Sequence, residues 1–308
     1  MPLKTIGRLF GKGVRSKLRA AVRYLWPKVK NKRFDRAKSN ILRRLSATLL
    51  VGNRADWRES IVRALTSKAI NLVFFPLTSE TINFPEIDVI LPFLLPEYDV
   101  VRMSAVASLK SLIPRATSVN LADDKLQFNN WLLRIGCGHC VPKMFARDPP
   151  FPFIRKKRID EWGANSKVFF CEEQVRSAGV DFTDCNYFLQ ECISGHEEYV
   201  THTISVSGVI TYSITFRNAY DKPLFIKGNG EEPKRVENLG GLVPLELSEI
   251  IRLLDYSGCA CFNYKLIKGV PMIFEMNPRV GASFSRMTDQ YLEGYLDSVR
   301  WHQKRLRS

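Results

Sequence analysis

Residues 274–283 read FEMNPRVGAS, and this stretch decides how the rest of the chain is interpreted. Glu275 and Asn277 stand two positions apart in a strand-like run, so their side chains are expected on one face, with Phe274 on the other. A carboxylate and an amide carbonyl are oxygen donors that suit a hard cation such as Mg²⁺. Arg279 follows closely and can bind a phosphate group. The stretch therefore predicts a place where a metal ion, phosphate oxygens and a guanidinium meet.

The run MIFEMN is the second strand of a predicted hairpin, CACFNYKLIKGVPMIFEMN, which turns near residues 268–269. Asn263 lies twelve residues before Glu275. A strict two-residue turn would pair Asn263 with Phe274 and point it away from Glu275. An odd-length loop or a bulge around residues 268–270 would instead place Asn263 opposite Glu275. The sequence leaves this register open.

The pattern E-x-N-P-R-x-G after a hairpin resembles the metal-binding end of the ATP-grasp fold, as in biotin carboxylase, the large subunit of carbamoyl phosphate synthase and D-alanine–D-alanine ligase. The resemblance implies Asn263, Glu275 and Asn277 as metal ligands, although the family usually has an acid at the position of Asn263. It implies that Arg279 stabilises the phosphoryl group in transfer. The implied cofactors are ATP and Mg²⁺, or Mn²⁺ in its place.

Two upstream motifs match the resemblance in order and spacing. ADDK at 122–125 resembles the Asp-Lys pair where the nucleotide-binding region begins, which implies a phosphate contact for Lys125. PFIRK at 152–156 resembles the strand whose lysine touches the α- and β-phosphates. Lys156 is accordingly the second residue, with Arg279, assigned to catalysis.

A third motif, LQECISGHE at 189–197, resembles the adenine hinge and the ribose contact of the same family. It implies nucleotide contacts at Gln190, Glu191, Ile193 and Glu197. Lys227 and Lys234 are further phosphate candidates from their position alone. The loop expected to cover the phosphates is poor in glycine, which leaves the chemistry of this lid open.

Alternating strand-like and helical runs between residues 46 and 123 predict a small parallel α/β unit. THTISVSGVITYSITF predicts an antiparallel hairpin that precedes the one described above. Together with the resemblance, the predicted fold class is α/β and α+β, an ATP-grasp fold with an N-terminal parallel α/β domain. The predicted divisions are a basic segment at 1–45, the α/β domain at 46–123, and two ATP-binding lobes at 124–193 and 194–308.

The net charge of +15 is concentrated at the N-terminus, where residues 1–45 hold 15 Lys and Arg and one acid, Asp35. Apolar residues in this segment recur every three or four positions, which predicts an amphipathic helix. Such a helix can lie on an anionic membrane surface. Packing against the protein body is an equal alternative, and an organellar transit segment is a third. Nucleic acid is not favoured as a partner because the segment has no recognisable reading motif.

The remaining composition, 45% apolar and 25% charged, is that of an ordinary globular protein. No apolar run approaches the roughly 18 residues of a membrane helix.

Seven cysteines without a secretory signal indicate reduced thiols and a cytoplasmic location, with the membrane surface as an open alternative. CGHC at 137–140 follows a predicted helix and has no second ligand pair, so ordinary thiols are favoured over a redox or zinc site.

The function implied by the resemblance is ATP-dependent ligation of a small-molecule carboxylate to an amine through an acyl phosphate. Two alternatives remain open. A kinase or other phosphoryl transferase would use the same fold, and an interaction protein would carry a degenerate nucleotide site. The sequence identifies neither the acid nor the amine, and it does not decide the oligomeric state.

Overall fold

The computed structural model describes residues 46–160, 163–227 and 231–307, and residues 46–308 form one unit. The predicted basic helix in residues 1–45 lies outside the described residues, so its interpretation stays a prediction from sequence. None of the described helices is both long enough and apolar enough to cross a membrane.

A parallel three-stranded sheet begins the described part, as the sequence predicts. Its elements in chain order are β1 (Ala47–Val51), α1 (Ala55–Ala64), β2 (Ile70–Phe74), β3 (Val89–Leu91), α2 (Leu95–Arg102), α3 (Ala105–Leu109) and α4 (Ala116–Asp123). The strand order is β2-β1-β3, with β1 parallel to both neighbours. β1 and β3 are almost entirely buried, as expected where both faces of a parallel sheet are covered, whereas the edge strand β2 exposes Asn71.

A four-stranded antiparallel sheet follows. Its elements are α5 (Lys125–Arg134), β4 (Met144–Phe145), β5 (Phe153–Lys157), β6 (Lys167–Phe169), α6 (Glu172–Ser177) and β7 (Tyr187–Glu191), with strand order β4-β7-β5-β6. Asp124 caps α5 by accepting from the backbone N–H groups of Leu126 and Gln127, each at 3.1 Å. The cap fixes the start of α5 and with it the position of Lys125.

A five-stranded antiparallel sheet completes the architecture. Its elements are β8 (Glu197–Val206), β9 (Val209–Ala219), β10 (Arg235–Asn238), α7 (Leu245–Leu253), β11 (Gly258–Ile267), β12 (Val270–Asn277), a 3₁₀ segment (Ala282–Met287) and α8 (Thr288–Arg307). The strand order is β10-β9-β8-β11-β12. Both predicted hairpins are present, and both turn through residue pairs with positive φ, Ser207-Gly208 and Lys268-Gly269.

The two faces of the five-stranded sheet have different surroundings. One face packs on α5 and α7 through a core that includes Phe128, Ile250 and Phe262. Part of the other face packs on α8, whose Tyr295 hydroxyl donates to the carbonyl of Ile90 and accepts from the N–H of Leu112. These bonds tie the last helix to the small parallel sheet. The rest of this second face is open and forms the wall of a cleft.

The β11–β12 pairing settles the register that the sequence left open. The turn at Lys268-Gly269 has two residues, yet Asn263 lies opposite Glu275 because the ladder shifts between Asn263 and Tyr264, leaving Phe274 as a bulged residue. The predicted bulge position near the turn is therefore wrong. A bulge places two consecutive residues against one partner, so Phe274 shares the face of Glu275 instead of the opposite face. Phe274 accordingly lines the cleft.

Candidate functional site

A cleft of about 490 Å³ lies between the four-stranded and five-stranded sheets. The structure brings nine of the predicted site residues to its lining: Lys125, Lys156, Glu191, Ile193, Lys227, Asn263, Glu275, Asn277 and Arg279. These residues span more than 150 positions of the sequence, so only the tertiary fold places them together.

The wall of the cleft that the five-stranded sheet forms is built from cross-strand rows of residues. Val200, Asn263 and Glu275 form one row, since each pairs with the next across β8, β11 and β12. His202 and Cys261 form the adjacent row with Asn277, nearer the 3₁₀ segment. Residues two apart on a strand share a face, so both rows point toward the same side.

Glu275 is the centre of the candidate metal cluster. Its Oε1 accepts from Nδ2 of Asn263 at 2.8 Å and from Nδ2 of Asn277 at 3.1 Å. Burial alone would raise the pKa of this carboxyl, but the charge of Lys125 and the Asn277 hydrogen bond outweigh burial and lower the pKa. Glu275 is therefore held as a carboxylate, the form that binds a cation.

Two lysines enter this part of the cleft, Lys125 from α5 and Lys156 from β5. Lys125 Nζ lies 3.5 Å from Glu275 Oε2 and donates to Asp160 through the backbone carbonyl at 2.8 Å and the side chain at 3.1 Å. Burial acts to lower the pKa of Lys125, but Glu275 and Asp160 raise it overall. Lys156 Nζ donates to Gln190 Oε1 at 2.8 Å and lies 5.1 Å from the centre of the Phe274 ring. Burial lowers the pKa of Lys156 to about 8.

A third lysine approaches from the segment after β9. Lys227 Nζ donates to Asn263 Oδ1 at 2.9 Å and lies 3.8 Å from Glu198. Lys234, the other candidate from position alone, does not line the cleft and pairs with Asp221. Its assignment as a phosphate ligand is therefore not supported.

Arg279 occupies the end of the cleft beyond β12. Its side chain is buried, and its guanidinium donates to the carbonyl of Val280 at 3.3 Å. The preceding residue is fixed as well, because the Tyr98 hydroxyl on α2 donates to the carbonyl of Pro278 at 2.9 Å. The parallel α/β unit thus anchors the loop that carries the arginine.

The predicted hinge lies at the opposite end of the cleft. Glu191 and Ile193 line it, whereas Gln190 is fully buried behind Lys156 and donates to the carbonyl of Pro142 at 3.2 Å. Gln190 therefore orients a lysine and does not face the cleft. Lys265, which no sequence motif indicated, donates to the carbonyl of Ile193 at 3.0 Å and holds the hinge.

The structure does not place Glu197 in the cleft, contrary to the prediction. Glu197 pairs with Arg217 at 3.4 Å and accepts from the Tyr199 hydroxyl at 2.9 Å. The next residue, Glu198, lines the cleft instead and is buried. Successive strand residues face opposite sides, so the phase of β8 decides between two adjacent glutamates. The sequence offers both, and the motif points to Glu197, which the structure does not place in the cleft.

Other residues of the cleft gave no sequence signal. Arg286 and Ser283 come from the 3₁₀ segment, and Phe225 comes from the segment after β9. Phe225 stacks on Tyr220 with ring centres 3.8 Å apart, and Lys265 Nζ lies 4.2 Å above it. Their contribution depends on tertiary contacts and not on a local pattern.

The CGHC segment contains buried thiols. Cys137 and Cys140 are unbridged, and burial raises the pKa of Cys140 to about 12. His139, Cys140 and Glu246 place potential ligand atoms within 4.8 Å of one another. The expectation of ordinary thiols in this segment stays a prediction from sequence.

The donor set around Glu275 fits one Mg²⁺. The ion takes one or two carboxylates and completes its shell with phosphate oxygens and water. Glu275 supplies the carboxylate, and Asn277 bonds it through Nδ2, so its Oδ1 is not used in that bond. The Oδ1 of Asn263 already accepts from Lys227. Glu275 and Asn277 would therefore hold the ion, with Asn263 supporting the carboxylate.

Comparison with solved structures identifies the fold. D-alanine–D-alanine ligase from Bacillus anthracis complexed with ATP superposes with a TM-score of 0.50 at 16% identity, over 84% of this chain and 99% of that one. Phosphoribosylamine–glycine ligase from Thermotoga maritima gives 0.59 at 14%, over 82% and 75%. N5-carboxyaminoimidazole synthetase from Staphylococcus aureus complexed with ADP gives 0.53 at 12%, over 81% and 77%. No protein-family model matches the sequence, and neither does any curated protein.

The chain has the ATP-grasp fold, as the sequence resemblance predicts. The mixed architecture of one parallel and two antiparallel sheets agrees with these neighbours. At identities of 12 to 16%, the comparison establishes the fold and leaves the reaction to be argued from the cleft.

Proposed function

We propose that this protein is an ATP- and Mg²⁺-dependent ligase that joins a carboxylate to an amine through an acyl phosphate. One observation carries the proposal: Lys125, Lys156 and Lys227 act from separate segments on one partly buried carboxylate, Glu275. Asp160 and Glu198 pair with Lys125 and Lys227, whereas Lys156 donates to the neutral amide of Gln190. Ammonium groups around a carboxylate suit a triphosphate with a divalent ion, because the lysines can bind phosphate oxygens while the carboxylate binds the ion.

The phosphate end of the nucleotide belongs between the lysines and Glu275. Lys125 and Lys156 would bind phosphate oxygens, and Lys227 would reach the terminal phosphate from the opposite wall. Mg²⁺ on Glu275 and Asn277 would neutralise charge on the phosphate oxygens when bound. Arg279 would stabilise the charge that develops on the phosphoryl group during transfer.

The base and ribose belong at the hinge end. Ile193 is held by Lys265, so its backbone is fixed for contact with the adenine edge. Ile154, Val168 and Phe225 offer apolar surface for the ring. Glu198 takes the role expected of Glu197, because its carboxylate faces the cleft and can accept hydrogen bonds from ribose hydroxyl groups.

The reaction has two bond-forming steps. A carboxylate oxygen of the acid attacks the γ-phosphorus of ATP, the bond to the bridging oxygen breaks, and ADP leaves. The amine nitrogen then attacks the carbonyl carbon of the acyl phosphate, inorganic phosphate leaves, and the nitrogen loses a proton. Enclosure of the acyl phosphate between the two sheets would exclude water, which would otherwise hydrolyse it. The products are an amide, ADP and phosphate.

A screen for released phosphate tests the proposal. Purified protein with Mg²⁺ and ATP is incubated with pairs drawn from a set of acids and a set of amines, and phosphate and ADP are both measured. Ligation predicts equal amounts of ADP and phosphate that require both the acid and the amine. ADP without phosphate would indicate a kinase, and no ATP binding by calorimetry would indicate a degenerate site. Either result would contradict the ligase.

Two finer aspects rest on sequence alone. The acid and amine are small molecules in this proposal, in keeping with the ligase names of the structural neighbours. Attachment of residues 1–45 to an anionic membrane surface is retained as a proposal because of their charge. A cytoplasmic location is likewise a proposal, made because the seven cysteines indicate reduced thiols.

A further inference from the structure

A histidine and a serine form a hydrogen-bonded pair at the cleft, outside the nucleotide contacts described above. His202 Nε2 and Ser283 Oγ are 2.7 Å apart. His202 lies on β8 and is fully buried, with its ring edge-on to Phe216 and Tyr291. Ser283 lies in the 3₁₀ segment and lines the cleft. The pair therefore joins a buried imidazole to a hydroxyl that a ligand can reach.

Gly281 makes this contact possible. A Cβ at Gly281 would lie 2.6 Å from Cys261 Sγ and 2.8 Å from His202 Cε1, both closer than real side chains come. The backbone after β12 therefore passes directly over His202 and Cys261. This close approach sets Ser283 onto the imidazole, two residues after the glycine.

The surroundings of His202 determine the direction of the hydrogen bond. Within the described residues, Nδ1 is buried and has no hydrogen-bond partner. Buried N–H groups without an acceptor are rarer than acceptors without a donor, so the proton belongs on Nε2. Nε2–H then donates to Ser283 Oγ, and the serine hydroxyl hydrogen remains for a group in the cleft.

The imidazole is neutral under ordinary conditions. Burial lowers the pKa of His202 to about 3, and the charges of Lys227 and Arg286 act in the same direction. A neutral ring keeps one N–H and one bare nitrogen, which is the state that the hydrogen-bond argument requires. The same cations create a positive field at Ser283, which favours an anionic ligand.

The position of the pair relates it to the reacting phosphate. His202 stands in one cross-strand row with Cys261 and Asn277. Neighbouring strands lie about 4.8 Å apart, so the pair is on the order of 10 Å from the candidate metal ligand. Arg286 flanks the same part of the cleft and donates to Asn218 Oδ1 at 3.4 Å. Ser283 and Arg286 therefore line a part of the cleft that lies beyond the candidate metal ligands.

We propose that the Ser283 hydroxyl donates a hydrogen bond to the carboxylate of the acid substrate, with His202 as the positioning residue that fixes the hydroxyl. The proposal rests on the ligase function proposed above and names the acid subsite of the same cleft. It assigns the acid to the end lined by Ser283 and Arg286, and leaves the amine to enter from the remaining opening.

The first test needs no turnover. Long-range ¹H–¹⁵N NMR of the full chain reports the tautomer of His202, whose signals are assigned by their loss in His202→Gln. The proposal expects the proton on Nε2. A proton on Nδ1 would overturn it whether or not the protein is a ligase, because Ser283 would then donate to the ring and not to a substrate.

The second test uses the acid–amine pair that the phosphate screen identifies. A hydrogen bond to a charged group implies that Ser283→Ala raises the KM for the acid roughly tenfold or more, with the Kd of Mg·ATP unchanged. Ser283→Thr keeps the hydroxyl and should restore most of the affinity. His202→Gln keeps a donor near Nε2 and should stay closer to wild type than His202→Leu, with circular dichroism confirming folding.

Ser285→Ala is the matched control in the same 3₁₀ segment. The Ser285 hydroxyl donates to the carbonyl of Ala282 at 3.0 Å, so its loss should leave the KM for the acid within about twofold. An unchanged KM in Ser283→Ala would overturn the assignment. Absence of phosphate release with every pair would instead contradict the ligase itself, while the tautomer measurement would still stand.

Discussion

Asn263 lies directly opposite Glu275 across the β11–β12 ladder, and its Nδ2 donates to Glu275 Oε1 at 2.8 Å. The pairing exists because Phe274 is bulged out of β12, which advances Glu275 by one position relative to a regular hairpin. An amide therefore stands where a second carboxylate would increase the negative charge of the candidate metal site.

Replacing Asn263 by aspartate should strengthen metal binding. Asn263→Asp adds a carboxylate beside Glu275, and affinity for divalent ions increases with the number of charged ligands. The Mg²⁺ concentration that gives half-maximal ATP binding should fall about three- to tenfold. Calorimetric titration of ATP at several Mg²⁺ concentrations measures the change. An unchanged half-maximal Mg²⁺ concentration would show that residue 263 does not interact with the ion.

Removing the charge of Glu275 should abolish the dependence of ATP binding on Mg²⁺. Glu275→Gln keeps the shape but removes the ion's carboxylate, so the Kd measured with Mg²⁺ should rise at least about tenfold. Without Mg²⁺, ATP should bind no worse than to wild type, because a negative charge near the phosphates is gone. Glu249→Gln on α7, which loses only a pair with Arg252 on the same helix, is the control and should match wild type.

ATP affinity should decrease between pH 7 and pH 9. Lys156 has a pKa of about 8 in the nucleotide-free protein, so it is mostly charged at pH 7 and mostly neutral at pH 9. Loss of the charged form over this range should weaken binding by about one order of magnitude. Lys156→Met should bind weakly at pH 7 and lose much of this pH dependence. Any remaining decrease is expected from Lys265, whose pKa burial also lowers to about 8.

The same pKa shift makes a prediction for stability. The lowered pKa means that the unfolded chain binds more protons than the folded one between about pH 8 and the usual pKa of lysine, so this group raises the free energy of unfolding as pH increases through that window. Lys156→Met should remove that rise, and chemical denaturation at pH 7.5 and 9.5 measures it. An identical pH slope in the variant would show that the ammonium is not desolvated.

Two adjacent glutamates offer a matched test of the strand phase. Glu198→Gln should weaken ATP binding roughly tenfold or more if its carboxylate holds ribose hydroxyl groups. Glu197→Gln should leave the Kd within about twofold, because Glu197 faces Arg217 on the other side of β8. If Glu197→Gln weakened ATP binding and Glu198→Gln did not, Glu197 would be the ribose ligand, as the sequence motif implies.

Residues 1–45 should confer binding to anionic membranes. The full chain is expected to sediment with vesicles that contain phosphatidylserine, and the bound fraction should decrease as salt screens the charges. The chain beginning at Ser46 should remain in the supernatant. Equal binding by both proteins would remove the membrane surface from the proposed function.

Much of the site was predictable because its parts are local. FEMNPR contains the carboxylate, amide and guanidinium within five residues, and PFIRK places a lysine in a strand, so residue type and spacing indicate the chemistry. Lys265 and Arg286 were missed for the opposite reason. Each lies in an unremarkable strand or turn, and only packing against Ile193 or Asn218 brings it to the cleft.

The sequence by itself determined the fold class and the chemical groups of the site, because the periodicity of strands and the order of motifs can be recognised without knowing how the strands pair. The tertiary structure decided which face each group occupies. A shift of one residue moves every side chain of a strand to the opposite face of the sheet. The bulge at Phe274 therefore brings Asn263 opposite Glu275, and the alternation of side chains along β8 places Glu198 in the cleft. Such single-residue choices depend on contacts between distant strands, which local sequence does not encode.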